Sequence, residues 1–170
     1  MNDRPLHLVF MGVSGSGKST AALAVRERLG WEMAEGDDFH PPENVEKMRQ
    51  GIPLTDADRW GWLASLADWT AERDARDEPT IITCSALRVA YRDVLRRGGE
   101  GTFFVHCTGD KHMFLERMSA REHFMPPSLL ESQLDTLEPL RPDEHGMDVD
   151  PALPVDRMAA LVLARLDLAG

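Results

Sequence analysis

The sequence has no long hydrophobic run; its apolar stretches are only a few residues each, which excludes a membrane-spanning helix. Cysteine is scarce. Cys84 and Cys107 are the only two, and they follow the apolar runs Thr80-Ile81-Ile82-Thr83 and Phe103-Phe104-Val105-His106. That placement suits buried strand ends and argues against a disulfide framework or a metal knuckle. Positive charge is in deficit, with 19 Lys+Arg against 29 Asp+Glu and a net charge of -10. Neutralising a nucleic-acid backbone or an anionic membrane is therefore not the expected task, although a local arginine cluster can still receive a small anion. The six histidines show no metal-ligand spacing. Met1-Asn2-Asp3-Arg4-Pro5 has neither the cationic start nor the apolar core of a signal peptide, so a cytoplasmic location is expected.

What remains is an ordinary globular composition, 42% hydrophobic and 28% charged over 170 residues, the size of one domain. Folding a chain of this length buries roughly 70% of its extended surface. Leu6 to Met11 reads as a buried strand, followed by a glycine-rich loop and a helix from Lys18 to Leu29 closed by Gly30. A strand over Trp31 to Ala34 precedes Glu35-Gly36-Asp37-Asp38, and a short helix after Pro41-Pro42 runs to Gln50. Thr55-x-x-Asp58 has the form of a capping box and opens a helix to about Arg76. Strands over Pro79 to Cys84, Thr102 to Cys107 and Met147 to Val149 alternate with helices over Leu87 to Arg97, Asp110 to Arg121, Ser128 to Leu137 and Val155 to Leu168. This alternation predicts an α/β fold with a parallel sheet covered on both faces and ligands at the carboxyl ends of its strands.

Gly12-Val13-Ser14-Gly15-Ser16-Gly17-Lys18-Ser19 fits G-x-x-x-x-G-K-[ST], the phosphate-binding loop, in the strand-loop-helix context that the motif demands. The glycines let backbone N–H groups converge on phosphate oxygens, and the helix adds its positive N-terminus. Lys18 would reach the β/γ-phosphates, Ser19 would ligate Mg²⁺, and Thr20 joins the nucleotide-binding set. No Asn-Lys-x-Asp guanine-reading string is present, and strand three ends in Cys84-Ser85, so a metal-side carboxylate must come from elsewhere. Asp37 and Asp38 supply it if strands one and two lie near each other; one of them would orient an acceptor hydroxyl or hold Mg²⁺ through water. Arg117 and Arg121, four apart on one helix face ahead of His123-Phe124-Met125-Pro126-Pro127, read as lid cations for a moving γ-phosphate.

Taken together these strings resemble the gluconokinase family, with the likeness running from Val9 to about Glu144. It rests on the phosphate loop and on Glu35-Gly36-Asp37-Asp38-Phe39-His40-Pro41 with Asn44 and Lys47-Met48. Gly51-Ile52-Pro53-Leu54-Thr55-Asp56-Ala57-Asp58-Arg59, Cys84-Ser85-Ala86-Leu87 with Tyr91-Arg92-Asp93, and His123-Phe124-Met125-Pro126 leading to Ser132-Gln133 and Leu137-Glu138 complete it. The resemblance implies a P-loop NTPase of nucleoside-monophosphate-kinase-like type: five parallel strands, flanking helices, and a lid at about residues 117–137 of a single 1–170 kinase domain. It also implies a homodimer, ATP and Mg²⁺ as cofactors, and phosphorylation of D-gluconate to 6-phospho-D-gluconate. Two positions depart from the family pattern: Gly61 stands where a proline is usual, and Arg88 where a lysine is frequent. The glycine removes a fixed φ from a first helical turn, and the arginine widens a point charge into a fork.

A site for a carboxylate on a chain of hydroxyls needs a cation for the acid and paired donors and acceptors for the polyol. Arg59 and Arg88 are the candidates for the carboxylate and His40 for a hydroxyl, with Ser85 and Arg92 alongside; Arg92 could equally pair locally. Asp37 would align the acceptor hydroxyl in a direct in-line transfer, with Lys18, Mg²⁺, Arg117 and Arg121 meeting the γ-phosphate charge. A related kinase of shikimate or nucleotide type, or a nucleotide-dependent switch without turnover, would share the phosphate loop but not the acceptor strings.

Overall fold

A computed structural model describes residues 4–119 and 128–168, with side chains of 117–119 left aside. Five strands, β1 (His7–Met11), β2 (Glu32–Glu35), β3 (Thr80–Thr83), β4 (Thr102–Cys107) and β5 (Gly146–Val149), form one parallel sheet in the order β2-β3-β1-β4-β5. Helices α1 (Lys18–Leu29), α2 (Pro42–Arg49), α3 (Asp56–Asp74), α4 (Val89–Arg96), α5 (Lys111–Ser119), α6 (Ser128–Thr136) and α7 (Val155–Arg165) complete the chain. The parallel sheet expected from the alternation, with the five strands that the resemblance implied, is the one observed. Among the described residues no helix is long and apolar enough to cross a membrane.

The period-2 alternation of β1 divides the core. Val9 and Met11 face Trp62, Leu63 and Leu66 of α3 and Tyr91 and Leu95 of α4. Leu8 and Phe10 face Ala21, Ala22 and Val25 of α1 and Met158, Val162 and Leu163 of α7. All five residues of β1 are buried, because helices cover both faces of a parallel sheet. Cys84 and Cys107 are buried and outside any disulfide, as their positions suggested, and burial pushes Cys84 up to about 12.

Local signals set the helix ends. Thr55 and Asp58 form the expected capping box, Asp58 N donating to Thr55 Oγ1 at 3.2 Å and Thr55 N donating to Asp58 Oδ2 at 2.9 Å. Gly30 closes α1 with φ 71° and donates to Arg26 O. α4 begins at Val89, two residues later than predicted: Ala86 takes φ 49°, and Glu138 Oε1 caps Val89 N at 2.8 Å. Glu138 of the Leu137-Glu138 string thus caps α4.

β2 is not the neighbour of β1; β3 lies between them. The segment after β2 still reaches the phosphate loop because the turn Gly36–Phe39 leans over the end of β3. Gly36 N donates to Thr83 Oγ1 at 3.2 Å, and a Cβ on Gly36 would lie 2.0 Å from Thr83 O, so no side chain fits.

Candidate active site

The phosphate loop leaves β1 at Gly12 and enters α1 at Lys18. Gly12 has φ 148°, and a Cβ there would meet Ser16 Oγ at 2.6 Å and Cys107 O at 2.9 Å, so only glycine closes the loop. Gly17, at φ 85°, turns the chain into the helix. Ser16 Oγ is buried and has no hydrogen-bond partner among the described residues. Ser14 N donates to Gln133 Oε1 of α6 at 2.7 Å. An orphaned hydroxyl and a loop N–H already holding an oxygen acceptor are what a phosphate-binding loop requires, so the residues present fit a nucleotide triphosphate.

A cleft at the carboxyl ends of the strands is lined by Ser14, Lys18, Asp37, His40, Arg59, Ser85 and, from α6, Ser132 and Gln133. Its open interior is about 40 Å³, room for about three waters. The phosphate loop therefore shares one cavity with four of the predicted acceptor residues. Lys18 and Asp37, from different strand ends, both face it.

His40 is the most constrained of these. Its side chain is 3% exposed, stacks on Trp62 with centroids 3.9 Å apart at 18°, and lies with Nδ1 3.2 Å from Asn44 Nδ2. Its Nε2 is 3.9 Å from Asp37 Oδ1. Burial, opposed by Asp37 and helped by Arg59, pushes the imidazole down to about 4. Trp62 Nε1 donates to Gly36 O at 2.8 Å, so α3 holds the whole turn that carries Asp37. Arg59 Nη1 donates to Tyr91 Oη at 2.7 Å with its guanidinium over the Tyr91 ring, and Tyr91 Oη donates to Asp56. Burial and that last bond raise Tyr91 above the ordinary phenol range.

Two predicted acceptor residues are not brought into the cleft. Arg92 is fully buried: Nε and Nη2 donate to Glu144 at 2.7 and 3.0 Å, Nη1 to Ala86 O at 2.8 Å, and Nη2 also to Pro139 O at 3.3 Å. Its donors are committed to the fold, so it has no fork left for a substrate. Burial works to raise Glu144, but the Arg92 bonds and neighbouring contacts outweigh it and hold the carboxyl below its ordinary range. Arg88 stands 46% exposed outside the cleft lining, 3.7 Å from Asp56.

The carboxylate that meets Ser19 is Glu35 rather than Asp37, the residue expected from the sequence. Ser19 Oγ donates to Glu35 Oε2 at 3.0 Å, and Thr83 Oγ1 donates to the same oxygen. The signal lay in the Glu35-Gly36-Asp37 string, which carries a second carboxylate two residues earlier. Ser19 with Glu35 is an oxygen donor set that suits Mg²⁺ beside a triphosphate. Gln133, within the Ser132-Gln133 string, is the other site residue whose role only the structure gives. Arg121 lies outside the described residues, as does the side chain of Arg117.

No protein-family model matches the chain. It is 50% identical over 145 residues to the gluconokinase of Gluconobacter oxydans, covering 85% of this chain and 82% of that protein. The crystal structure of an unliganded sugar kinase from a Janibacter species superposes with a TM-score of 0.93 at 52% identity, covering 97% and 96% of the two chains. A gluconokinase structure from Sinorhizobium meliloti gives a TM-score of 0.83 at 48% identity over 95% and 93%. With its phosphate loop, its acceptor cleft and these likenesses, the chain belongs to the gluconokinase family of kinases.

Proposed function

We propose that this protein transfers the γ-phosphoryl group of ATP to D-gluconate, giving 6-phospho-D-gluconate, in the cleft between the phosphate loop and the turn after β2. The observation that carries the reading is the single cavity shared by Lys18 and Ser14 on one side and Asp37, His40 and Arg59 on the other. Lys18 and the loop N–H groups, including those of Val13, Ser14, Gly15 and Ser16, hold the phosphates, with Ser19 and Thr20 at the start of α1. Asp37 accepts the proton side of the acceptor hydroxyl and orients it, His40 and Ser85 bind the polyol, and Arg59 receives the carboxylate. Arg88 joins only by leaving Asp56. Arg117 and Arg121 are the lid cations of the same reading.

Mg²⁺ belongs at Ser19, with Glu35, which accepts from Ser19, and Asp37, which lines the cleft with Lys18, as the carboxylates of the site, and it would supply charge neutralisation to the phosphates. Transfer is direct and in line, so positioning dominates the rate enhancement. Residues 1–170 form one kinase domain in this reading, with a lid at about 117–137. The lid reading draws on α6, whose Ser132 and Gln133 line the cleft opposite the turn after β2. A homodimer in the cytoplasm, where two cysteines outside any disulfide stay reduced, completes the proposal.

The test is ATP consumption with Mg²⁺ across D-gluconate, other aldonates, shikimate and nucleoside monophosphates. Turnover dominated by D-gluconate is expected; turnover confined to another acceptor, or none, overturns the assignment. Sedimentation velocity of the same preparation decides the dimer.

A further inference from the structure

We propose that Asn44 is a positioning residue that locks His40 into the neutral tautomer with its hydrogen on Nε2, making the imidazole a fixed hydrogen-bond donor to a hydroxyl of the acceptor. The proposal rests on the reading of the cleft as a polyol-acid site.

The two ends of the Asn44 amide are chemically distinguishable here. Asp58 O, a backbone carbonyl, only accepts, so the Asn44 atom 2.8 Å from it is the NH₂ group. That same nitrogen lies 3.2 Å from His40 Nδ1. It carries two hydrogens: one is used by Asp58 O and the other meets Nδ1, which must then present its lone pair. A neutral imidazole that accepts at Nδ1 carries its hydrogen on Nε2. Asn44 cannot swing away from this role easily, since it is 3% exposed and bridges α2 to the backbone of α3's first turn.

The ring's plane is set independently by the Trp62 stack, and Trp62 is itself bonded to Gly36 O, next to Asp37. The Nε2–H is not consumed within the protein by Asp37, whose Oδ1 is 3.9 Å away, beyond a direct hydrogen bond. Both atoms can reach one hydroxyl oxygen at roughly 2.8 Å each. His40 then donates into the hydroxyl oxygen while Asp37 accepts its hydrogen, a pair that recognises a hydroxyl and discriminates against a hydrogen or a keto oxygen at that carbon. The opposite tautomer would place two acceptors, Nε2 and Asp37, against the same group and leave one of them unsatisfied.

Nitrogen-15 NMR of the full-length labelled protein reads the tautomer directly, with His40 assigned by loss of its signals in His40→Gln. The expected pattern is unprotonated Nδ1 and protonated Nε2 in the unaltered protein. In Asn44→Asp the NH₂ donor is gone, Nδ1 should gain a hydrogen, and KM for D-gluconate should rise about tenfold while KM for ATP stays within about twofold. A hydrogen on Nδ1 in the unaltered protein overturns the proposal, and that measurement stands even if Asn44→Asp does not fold. A folded Asn44→Asp protein with the tautomer and both KM values unchanged overturns it as well. If the tautomer is as expected but D-gluconate is not turned over, the substrate assignment fails and the Asn44 assignment survives; turnover with the other tautomer does the reverse.

Discussion

Gln133 Oε1 on α6 accepts a hydrogen bond from Ser14 N of the phosphate loop at 2.7 Å, across 119 residues of sequence. A carboxamide oxygen thus sits where a phosphate oxygen is expected, and it ties α6 to the phosphate loop. A hydrogen bond of this kind is worth about 1 kcal/mol, or about fivefold in an opening equilibrium. Gln133→Ala should therefore speed amide exchange along 128–136 by about that factor without nucleotide, measured by mass spectrometry. Equal exchange in the two proteins would show that the bond does not hold α6.

Lys18→Ala removes the only side-chain cation of the phosphate loop. The expected loss in kcat is at least about a hundredfold with the thermal midpoint little changed, since electrostatic stabilisation of a moving phosphoryl group is commonly worth that much. Steady-state kinetics that stay within about tenfold of the parent would contradict the assigned role.

Glu35→Gln keeps the shape that accepts from Ser19 and Thr83 but removes the negative charge. The Mg²⁺ concentration for half-maximal activity should rise about tenfold, as for other outer-shell partners of a metal site, with KM for D-gluconate nearly unchanged. A Mg²⁺ titration identical to the parent's would assign Glu35 to structure alone.

Arg92→Ala should destabilise the fold by about 3–5 kcal/mol, because it leaves Glu144 buried with a lost partner. Urea denaturation gives the stability. If Arg92 instead bound substrate, the variant would keep its denaturation midpoint and lose affinity for D-gluconate.

His40 confers a pH dependence on stability whose sign follows from its depressed pKa. Between the ordinary value of 6.5 and the folded value of about 4, the unfolded chain binds the extra proton. The His40 contribution is therefore complete above pH 6.5 and is lost as the pH falls toward 4, by up to about 1.4 kcal/mol per pH unit. Chemical denaturation at several pH values should show a shallower acid slope in His40→Gln; an unchanged slope would assign the acid sensitivity to other groups.

The phosphate loop, the capping box at Thr55 and Asp58, the C-cap at Gly30 and the strand-helix alternation were legible because each is written in contiguous residues. Their geometry is local: a left-handed glycine, a hydroxyl three residues from its N–H, an apolar period. Asp37, His40, Arg59 and Ser85 were also legible as cleft residues, since each follows a strand end or opens a helix on the ligand-binding edge of a parallel sheet.

Other features depended on which segments meet through space. Arg92 and Arg88 sit four residues apart on one stretch of chain, yet one is fully buried on Glu144 and the other stands exposed by Asp56. Charge and spacing are the same in either place, and only the packing of the 138–145 segment against α4 distinguishes them. Sequence alone thus determined the phosphate loop, the order of elements and the family. The tertiary structure decided that β3 separates β2 from β1, that Glu35 rather than Asp37 meets Ser19, and that Gln133 reaches Ser14. A short motif carries its own geometry, whereas a pairing between distant segments is set by the crossovers and by the core that fixes them.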